Sequence, residues 1–379
     1  MHTQRSPRVL TPFLALGLLL AVAPPAWGQR GMNYLVQVQG EVYIRRALAS
    51  QRASSGTLVG TDQTLEVRPN GQVTLMCSNH TQRVLRSGTH QVRDYCPAAS
   101  GVRSQTTRGE TGRNGTRRVF DGAQPYVISP RNTALLSPDG LLIEWHPTGN
   151  SMATIQTQVT LEGEAVDWTI VTPLRAVPYG GSQALVPDFT YTITVERRGK
   201  TSKADFVVLS PQERDRVGGE VAKIQALDLD PDEEAIGIAL AYLNYENPDP
   251  DYRSHALNWD ALRVLQARIQ AGTRHSQIYW LQGETYLAMD LPLEARQSFE
   301  RSVALAEANN DQQTLAQSYR RLGEIADRQE EQEAARGFFQ KALNLYQAWG
   351  DGEQVQDIQK VLERLEGSSS PKNPQGGFS

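Results

Sequence analysis

Residues 276–288 read SQIYWLQGETYLA, and residues 316–328, forty positions later, read AQSYRRLGEIADR. The similarity continues to residue 350. The matching pairs are Tyr279 and Tyr319, Gly283 and Gly323, Glu284 and Glu324, Ala295 and Ala335, Phe299 and Phe339, and Leu305 and Leu345. Self-similarity at a period between about twenty and fifty residues is typical of stacked structural repeats. The segment therefore predicts a helical array that works by binding, and it does not name the ligand.

Each copy is predicted to form two helices. In the first copy, Tyr279, Gly283 and Tyr286 share one face at helical spacing, and Pro292 suits the first turn of a second helix. The small residues Gly283 and Ala295 let the two helix axes approach closely, because they leave room for the ring of a neighbouring aromatic residue. The second copy has the same arrangement. A helical bundle without repeats is the alternative, but such a bundle has no reason to keep one period.

These residues resemble the tetratricopeptide repeat, whose first helix carries an aromatic residue, Leu-Gly and Tyr, and whose second carries Ala and an aromatic residue. The positions that match are Tyr279, Gly283, Tyr286, Ala295 and Phe299 in copy one, and Tyr319, Leu322, Gly323, Ala335, Phe339 and Ala342 in copy two. The period departs from the family, since it exceeds the usual ~34 residues. The extra residues lie at 309–314.

The resemblance implies that the first helix of each copy lines a concave groove and that its outward positions bind a protein or peptide partner. Those positions are Gln277, Trp280, Glu284 and Leu287 in copy one, and Gln317, Arg320, Glu324 and Asp327 in copy two. A large aromatic side chain exposed in such a groove is a typical binding hot spot, so Trp280 is the main candidate. The alternative is that Trp280 packs under the preceding helix, near Leu265, and only stabilises the array.

The amino-terminal residues predict export. Arg5 and Arg8 precede an apolar run over 9–23, and small residues follow at Ala26 and Gly28. This is the pattern of a secretory signal peptide, here residues 1–28. The apolar run is shorter than the ~20 residues that span a bilayer comfortably, which disfavours a retained anchor. We expect a protein of the bacterial periplasm or cell envelope, or a secreted one, with no integral membrane span after cleavage.

The charge of the chain is uneven. Residues 29–209 hold 19 Lys and Arg and 14 Asp and Glu, whereas residues 210–366 hold 16 and 28, a net charge of −12. Because nucleic-acid binding requires basic side chains that neutralise phosphates, the acidic region disfavours nucleic acid as a ligand. It favours a partner segment that carries basic residues.

Residues 29–99 predict a small β domain. Alternating apolar and polar residues flank Asn70-Gly71, a dipeptide typical of a hairpin turn. The stretch 60–67 together with this hairpin resembles the FecR-like β domain, and an unrelated sandwich or barrel is the alternative. Cys77 and Cys96 are the only cysteines, and in an exported chain such a pair predicts a disulfide. The alternatives are two free thiols, or a zinc site with His80 and His90, whose spacing is uneven.

Residues 100–124 predict a flexible linker, because they are rich in Gly, Ser, Thr and Arg. Residues 125–209 contain five strand-like segments and predict a second β domain. Its stretch Pro187-Asp188-Phe189-Thr190-Tyr191 resembles the tyrosine corner of immunoglobulin-like sandwiches. Trp145 and Trp168 are predicted core residues, with carbohydrate stacking as the alternative.

Residues 210–366 predict the tetratricopeptide-like helical domain. Ser210-Pro211-Gln212-Glu213 is a capping box that starts it, 232–271 form a degenerate repeat, and 354–365 form a closing helix. Residues 367–379 predict a disordered tail. The expected fold class is therefore two small β domains followed by an α-helical solenoid.

The sequence contains no nucleophile elbow, phosphate loop or paired metal ligands at known spacing. We therefore predict neither catalysis nor a cofactor nor a metal. The leading hypothesis is a non-catalytic interaction or scaffolding protein that binds a protein partner through its helices. The alternatives are an envelope regulator that uses the FecR-like domain, and a carbohydrate binder or enzyme that uses the β domains.

Overall fold

A computed structural model describes residues 32–45, 50–96, 124–146, 156–246 and 256–369. Within these ranges the chain forms three β-sheets followed by eight α-helices. This confirms the predicted fold class, a β-rich amino-terminal part followed by a helical array. The predicted signal segment, nearly all of the predicted linker and most of the predicted tail lie outside the described residues.

The first sheet contains six strands, in the order β3-β2-β5-β1-β4 with β6 paired alongside β5. The strands are β1 (Asn33–Gln39), β2 (Val42–Arg45), β3 (Ser50–Arg52), β4 (Leu58–Val59), β5 (Thr64–Met76) and β6 (Gln82–Gln91). Alternate side chains of these strands point inward, and Leu35, Ile44, Leu65 and Leu75 are fully buried among them.

A disulfide closes one end of this sheet. Cys77 follows β5, and Cys96 follows a short 3₁₀ helix over Val92–Asp94. Their Sγ atoms are 2.01 Å apart, and both residues are fully buried. The predicted bridge is confirmed, and these two thiols are therefore not metal ligands.

The predicted hairpin at Asn70-Gly71 is wrong, because β5 runs through these residues as one bent strand. Both halves of β5 pair with β6: Val67 lies opposite Gly88 and Gln72 opposite Arg86. The intervening residues of β5 therefore form a bulge, and Asn70 adopts a φ of 67° within it. The turn-forming dipeptide bends the strand here instead of reversing it.

The second β region consists of two facing sheets. One has the order β11-β10-β13-β14-β8 and the other β12-β9-β7. The strands are β7 (Tyr126–Ser129), β8 (Thr133–Leu135), β9 (Leu142–His146), β10 (Thr157–Gly163), β11 (Val166–Thr172), β12 (Ala176–Pro178), β13 (Thr190–Arg197) and β14 (Lys200–Val208).

The core of this region contains Ile143, Trp145 and Tyr191, each at most 1% exposed. Trp168 is partly buried against the same cluster, in keeping with its predicted packing role. The hydroxyl of Tyr191 accepts from the Val186 amide at 2.6 Å and donates to the Val186 carbonyl at 3.2 Å. This contact is the one that the tyrosine-corner resemblance implies, whereas the immunoglobulin-like and FecR-like resemblances themselves stay predictions.

The helices follow without a further strand among the described residues. They are α1 (Pro211–Gln225), α2 (Pro231–Leu243), α3 (Asn258–Gln270), α4 (Ser276–Ala288), α5 (Pro292–Asn309), α6 (Gln312–Arg328), α7 (Gln332–Trp349) and α8 (Gly352–Ser369). The Oγ of Ser210 accepts from the Glu213 amide at 3.3 Å, so the predicted capping box does begin α1. None of these helices combines the length and apolarity of a bilayer span.

Helices α4 and α5 pack as one antiparallel pair, and α6 and α7 as the next. A Cβ atom on Gly283 would lie 2.6 Å from the ring of Phe299, and one on Gly323 would lie 3.0 Å from the ring of Phe339. The predicted close approach of the helices at these glycines is therefore present in both copies.

The last helix is longer than predicted. It runs over Gly352–Ser369, so the first residues assigned to the disordered tail are helical. Leu365 is only 1% exposed and joins the main core, and good helix formers surround it. The helix therefore continues past the predicted end at residue 365.

Both β regions pack directly on the helices. Asn244, at the end of α2, accepts from the Met32 amide and donates to the Met32 carbonyl, both at 2.9 Å. In the second region, the Oγ1 of Thr133 accepts from the Trp259 amide of α3 at 3.1 Å. The helical array is thus fixed to the two β regions by hydrogen bonds that use backbone groups.

Candidate functional site

The first helix of each pair forms one continuous row. Helix α4 contacts α2 before it and α6 after it. The side chains of α6 also reach α8, because Arg320 donates to the Oε1 of Gln354. We call the face that α2, α4, α6 and α8 share the inner surface. It carries the eight residues predicted to bind a partner.

A segment of the first β region lies across one end of the inner surface. Segment 53–58 crosses from β3 to β4, and Gly56 and Leu58 in it expose their carbonyls to the helices. The side-chain amide of Gln277 on α4 donates to the Gly56 carbonyl, and that of Gln313 on α6 donates to the Leu58 carbonyl at 3.1 Å. Two neighbouring inner helices therefore hold one stretch of backbone through its carbonyls.

Gly56 has a structural reason to be glycine. Its φ is +81°, a conformation that side chains rarely adopt, and a Cβ atom there would lie 3.0 Å from Ile236 of α2. The backbone of the segment consequently approaches both α2 and α4 closely. Gln277 is only 8% exposed beneath it, so this predicted partner-binding residue is already engaged within the chain.

The expectation that Trp280 presents an exposed ring is wrong. The residue is only 4% exposed and belongs to the same buried cluster as Ile236, Leu240 and Leu265. The burial of Trp280 follows from its place on α4, between the preceding helix pair and α6. The alternative in which Trp280 packs near Leu265 fits the structure better, although its role in binding stays untested.

The charged residues of the inner surface neutralise one another. Arg321 donates to both carboxylate oxygens of Glu284, at 2.6 and 2.7 Å, and to Glu324 at 2.8 Å. Arg320 donates to the other oxygen of Glu324 at 3.1 Å. The side chains of Glu284 and Glu324 are 13% and 22% exposed, so these pairs are largely removed from water.

This network shifts the pKa values of its two acids in opposite directions. Burial raises the pKa of Glu284, and the charge of Arg321 only partly offsets that effect. Burial acts in the same way on Glu324, but Arg321 and Arg320 together outweigh it and hold the pKa of Glu324 below its usual value. The difference follows from the contacts, because Glu324 accepts from two arginines and Glu284 from one.

The remaining predicted residues lie towards the end of the array. Asp327 accepts from Arg364 of α8 at 2.6 and 3.4 Å. Leu287 is partly buried against the main core, and Gln317 is partly exposed on α6. Of the eight residues, Gln317, Arg320, Glu324 and Asp327 thus lie on the part of the inner surface that is not under segment 53–58.

Sequence reasoning missed three residues that shape this surface, namely Gln313, Arg321 and Arg364. Arg321 follows the selected Arg320 directly, and its carboxylate partner Glu284 lies 37 positions earlier, close to one repeat period. That spacing was a usable signal. Gln313 lies before the aligned part of the second copy, so the repeat pattern gave no reason to select it.

The described residues contain no group of three or more His, Cys, Asp or Glu side chains arranged to hold a metal ion. The charged side chains of the inner surface described above instead bond to other protein groups.

Residues 274–348 match the tetratricopeptide repeat family. The match covers both predicted copies, about a fifth of the 379 residues, and it supports a role in protein–protein interaction. The repeat resemblance of the sequence is confirmed for this segment. The family is in general a non-catalytic interaction fold.

A solved structure described as the crystal structure of MamA is also similar, at 20% sequence identity. The similarity covers 42% of this chain and 94% of the other, with a TM-score of 0.26. No curated protein matches the chain.

Proposed function

We propose that this protein is an exported, non-catalytic interaction or scaffolding protein of the bacterial cell envelope. It binds an extended segment of a protein partner on the inner surface of its repeats. The observation that carries this proposal is the pair of hydrogen bonds from Gln277 and Gln313 to the carbonyls of Gly56 and Leu58. The inner surface already holds one stretch of backbone in this way.

The partner segment binds on the half of the inner surface that segment 53–58 does not cover. Gln317, Arg320 and Asp327 are partly exposed there and have polar groups in reach of a bound chain. Because the acids of this surface are paired with arginines, direct pairing with them contributes little to a preference for basic partners. That preference arises from the net charge of −12 over residues 210–366, which speeds the approach of basic segments at low salt.

Export is supported by the signal-like sequence at residues 1–28 and by the disulfide between Cys77 and Cys96. Disulfides persist in oxidising compartments such as the periplasm and are rare in the cytosol. Amino-terminal sequencing of the native protein tests this part of the proposal. A mature chain that begins at or near Gln29 supports it, and recovery of Met1 contradicts it.

The binding proposal is tested by selecting displayed peptides against the full mature chain and measuring their affinity by titration calorimetry. We expect extended peptides with Lys or Arg, and we expect Gln317→Ala to weaken binding by about fivefold, or ~1 kcal/mol. The control is Gln297→Ala, which alters an exposed residue on α5, outside the inner surface. Equal affinity in the parent protein, Gln317→Ala and Gln297→Ala contradicts the proposed surface.

A further inference from the structure

A cavity lies between the second β region and helices α3 and α4. It is a partly open cavity of about 210 Å³. Strands β7 and β9 form one wall, and helices α3 and α4 form the other. The share of one liquid water is ~30 Å³, so the cavity has room for several waters or for one small organic molecule.

The strand wall carries two polar side chains on one face. Ser129 of β7 and Glu144 of β9 are directly opposite each other in the sheet register, so their side chains point to the same side. Ile143 and Trp145, the neighbours of Glu144, are buried in the core between the two sheets. Glu144 therefore faces the helices, and both polar side chains line the cavity.

These two side chains lack partners within the described part of the chain. The Oγ of Ser129 is buried without a hydrogen bond, and the residue is 4% exposed. Glu144 forms no salt bridge or hydrogen bond there, and burial raises the pKa of its carboxyl group. A buried hydroxyl and a partly buried carboxylate without partners are both costly, so both are suited to receive a ligand group.

The helix wall supplies a positive charge and aromatic rings. Trp259, Arg263 and Gln266 follow at the spacing of one helical face on α3, and Tyr286 of α4 completes the wall. The guanidinium of Arg263 lies over the ring of Trp259 at 4.7 Å. Its charge opposes the rise in the pKa of the buried Asp260, but it forms no salt bridge among the described residues. Its donors are thus available at the rim.

We propose that this cavity binds a free α-amino acid. The ammonium group lies against Glu144 and Ser129, and the carboxylate pairs with Arg263. One small zwitterion satisfies the two opposite charges and the buried hydroxyl together, which neither an anion nor a simple cation does. The ligand would contact both the second β region and the helices, so its binding stabilises their packing.

The test uses the full mature protein with L-alanine, L-serine, L-glutamate and L-lysine as probes, and it measures affinity by calorimetry and the melting temperature by scanning fluorimetry. We expect at least one of the four to bind with a Kd below about 1 mM and to raise the melting temperature. The N-acetyl and carboxamide derivatives of that amino acid, which lack the cation and the anion respectively, are expected to bind at least about tenfold more weakly.

Three variants test whether the amino acid binds in this cavity. Glu144→Gln and Arg263→Gln are each expected to weaken it by about tenfold or more, and Glu162→Gln, on the exposed face of β10, by less than about twofold. If Arg263→Gln fails to fold, Arg263→Lys takes its place, since it keeps the charge and loses the forked geometry. The proposal is overturned if none of the four amino acids binds. It is also overturned if Glu144→Gln binds normally, or if the carboxamide binds as tightly as the amino acid.

Discussion

The indole ring of Trp280 is buried where the predicted hot spot was expected to be open. Its Nε1 has no hydrogen-bond partner within the described residues. The alignment of the two repeats selected position 280 as a partner-binding position. That alignment contains no information on whether another part of the chain covers the side chain. The structure therefore shifts the expected effect of a mutation here from binding to stability.

We expect Trp280→Ala to lower the free energy of unfolding by ~3–5 kcal/mol, because it removes a large side chain from a packed cluster. Trp280→Phe keeps an aromatic ring and removes the unpaired N–H, so its cost is expected to be less than half as large. Urea denaturation of both variants measures the difference. An unchanged unfolding midpoint for Trp280→Ala would show that the ring does not contribute to the core.

We expect the stability of the protein to depend on pH through the buried carboxyl group of Asp260 on α3. Burial raises the pKa of its carboxyl group from 3.8 to about 7, although the Leu136 amide donates to it at 3.0 Å. The folded state therefore binds this proton more tightly than the unfolded state does. The contribution to stability is complete below pH ~4 and is lost as the pH rises through about 7.

Asp260→Asn is neutral at every pH and removes this dependence. Relative to the parent protein, we expect the variant to be more stable at pH 8 by on the order of a few kcal/mol, and equally stable near pH 4. Unfolding free energies across this range measure the effect, with the exposed Asp167→Asn on β11 as the control. Parallel curves for Asp260→Asn and the parent protein contradict the assignment.

At the scale of single elements, the two repeat copies depend on glycines that differ in how tightly they are packed. Gly283 lies closer to Phe299 than Gly323 does to Phe339, whereas Gly337 of α7 has open space beside it. The same Gly→Ala change should therefore have three different effects. At an open helical site Ala is favoured by about 1 kcal/mol, and at a crowded site the added methyl group must displace a ring.

We expect Gly283→Ala to destabilise the protein most, Gly323→Ala less, and Gly337→Ala to stabilise it. Thermal melts of the three variants, followed by circular dichroism at 222 nm, give the order. A loss of stability for Gly337→Ala, or equal effects at all three positions, contradicts the packing described for the helix pairs.

Elements with a regular pattern were predictable. The helix pairs of the repeats followed from the forty-residue period, and α1 began at its capping box at Ser210. The prediction of a hairpin at Asn70-Gly71 was wrong because this dipeptide is compatible with a β-bulge as well as with a turn. Both halves of β5 pair with β6, and this pairing selects the bulge over the turn. The local sequence does not specify that pairing.

At the scale of the whole molecule, the packing of the β regions on the helices was not predictable. Its hydrogen bonds join groups more than 100 positions apart and mostly use backbone carbonyls or amides, as between Gln313 and Leu58. Nearly every residue type has the same backbone N–H and C=O groups, so the sequence does not indicate which of them form these contacts. The eight residues predicted to bind a partner do lie on α4 and α6, and their role in binding stays a prediction. The contact of segment 53–58 with one end of this surface depends on distant residues that the sequence pattern does not specify.

From this packing we expect the side chains of Gln277 and Gln313 to hold segment 53–58 in place. We expect the double variant Gln277→Ala and Gln313→Ala to speed hydrogen exchange in this segment by about tenfold, with little change in the core of the first sheet. Mass spectrometry of peptic fragments measures this, and Gln297→Ala serves as the control. Unchanged exchange over 53–58 would mean that other contacts hold the segment.

The most direct test of binding at the inner surface is site-specific photo-cross-linking in cells of the native host. A photoreactive residue replaces Gln317 on the inner surface in one protein and the exposed Gln297 on α5 in another. We expect a defined adduct with one segment of a partner protein at position 317 and none at position 297. Adducts at 297 alone, or the same adducts at both positions, would contradict it.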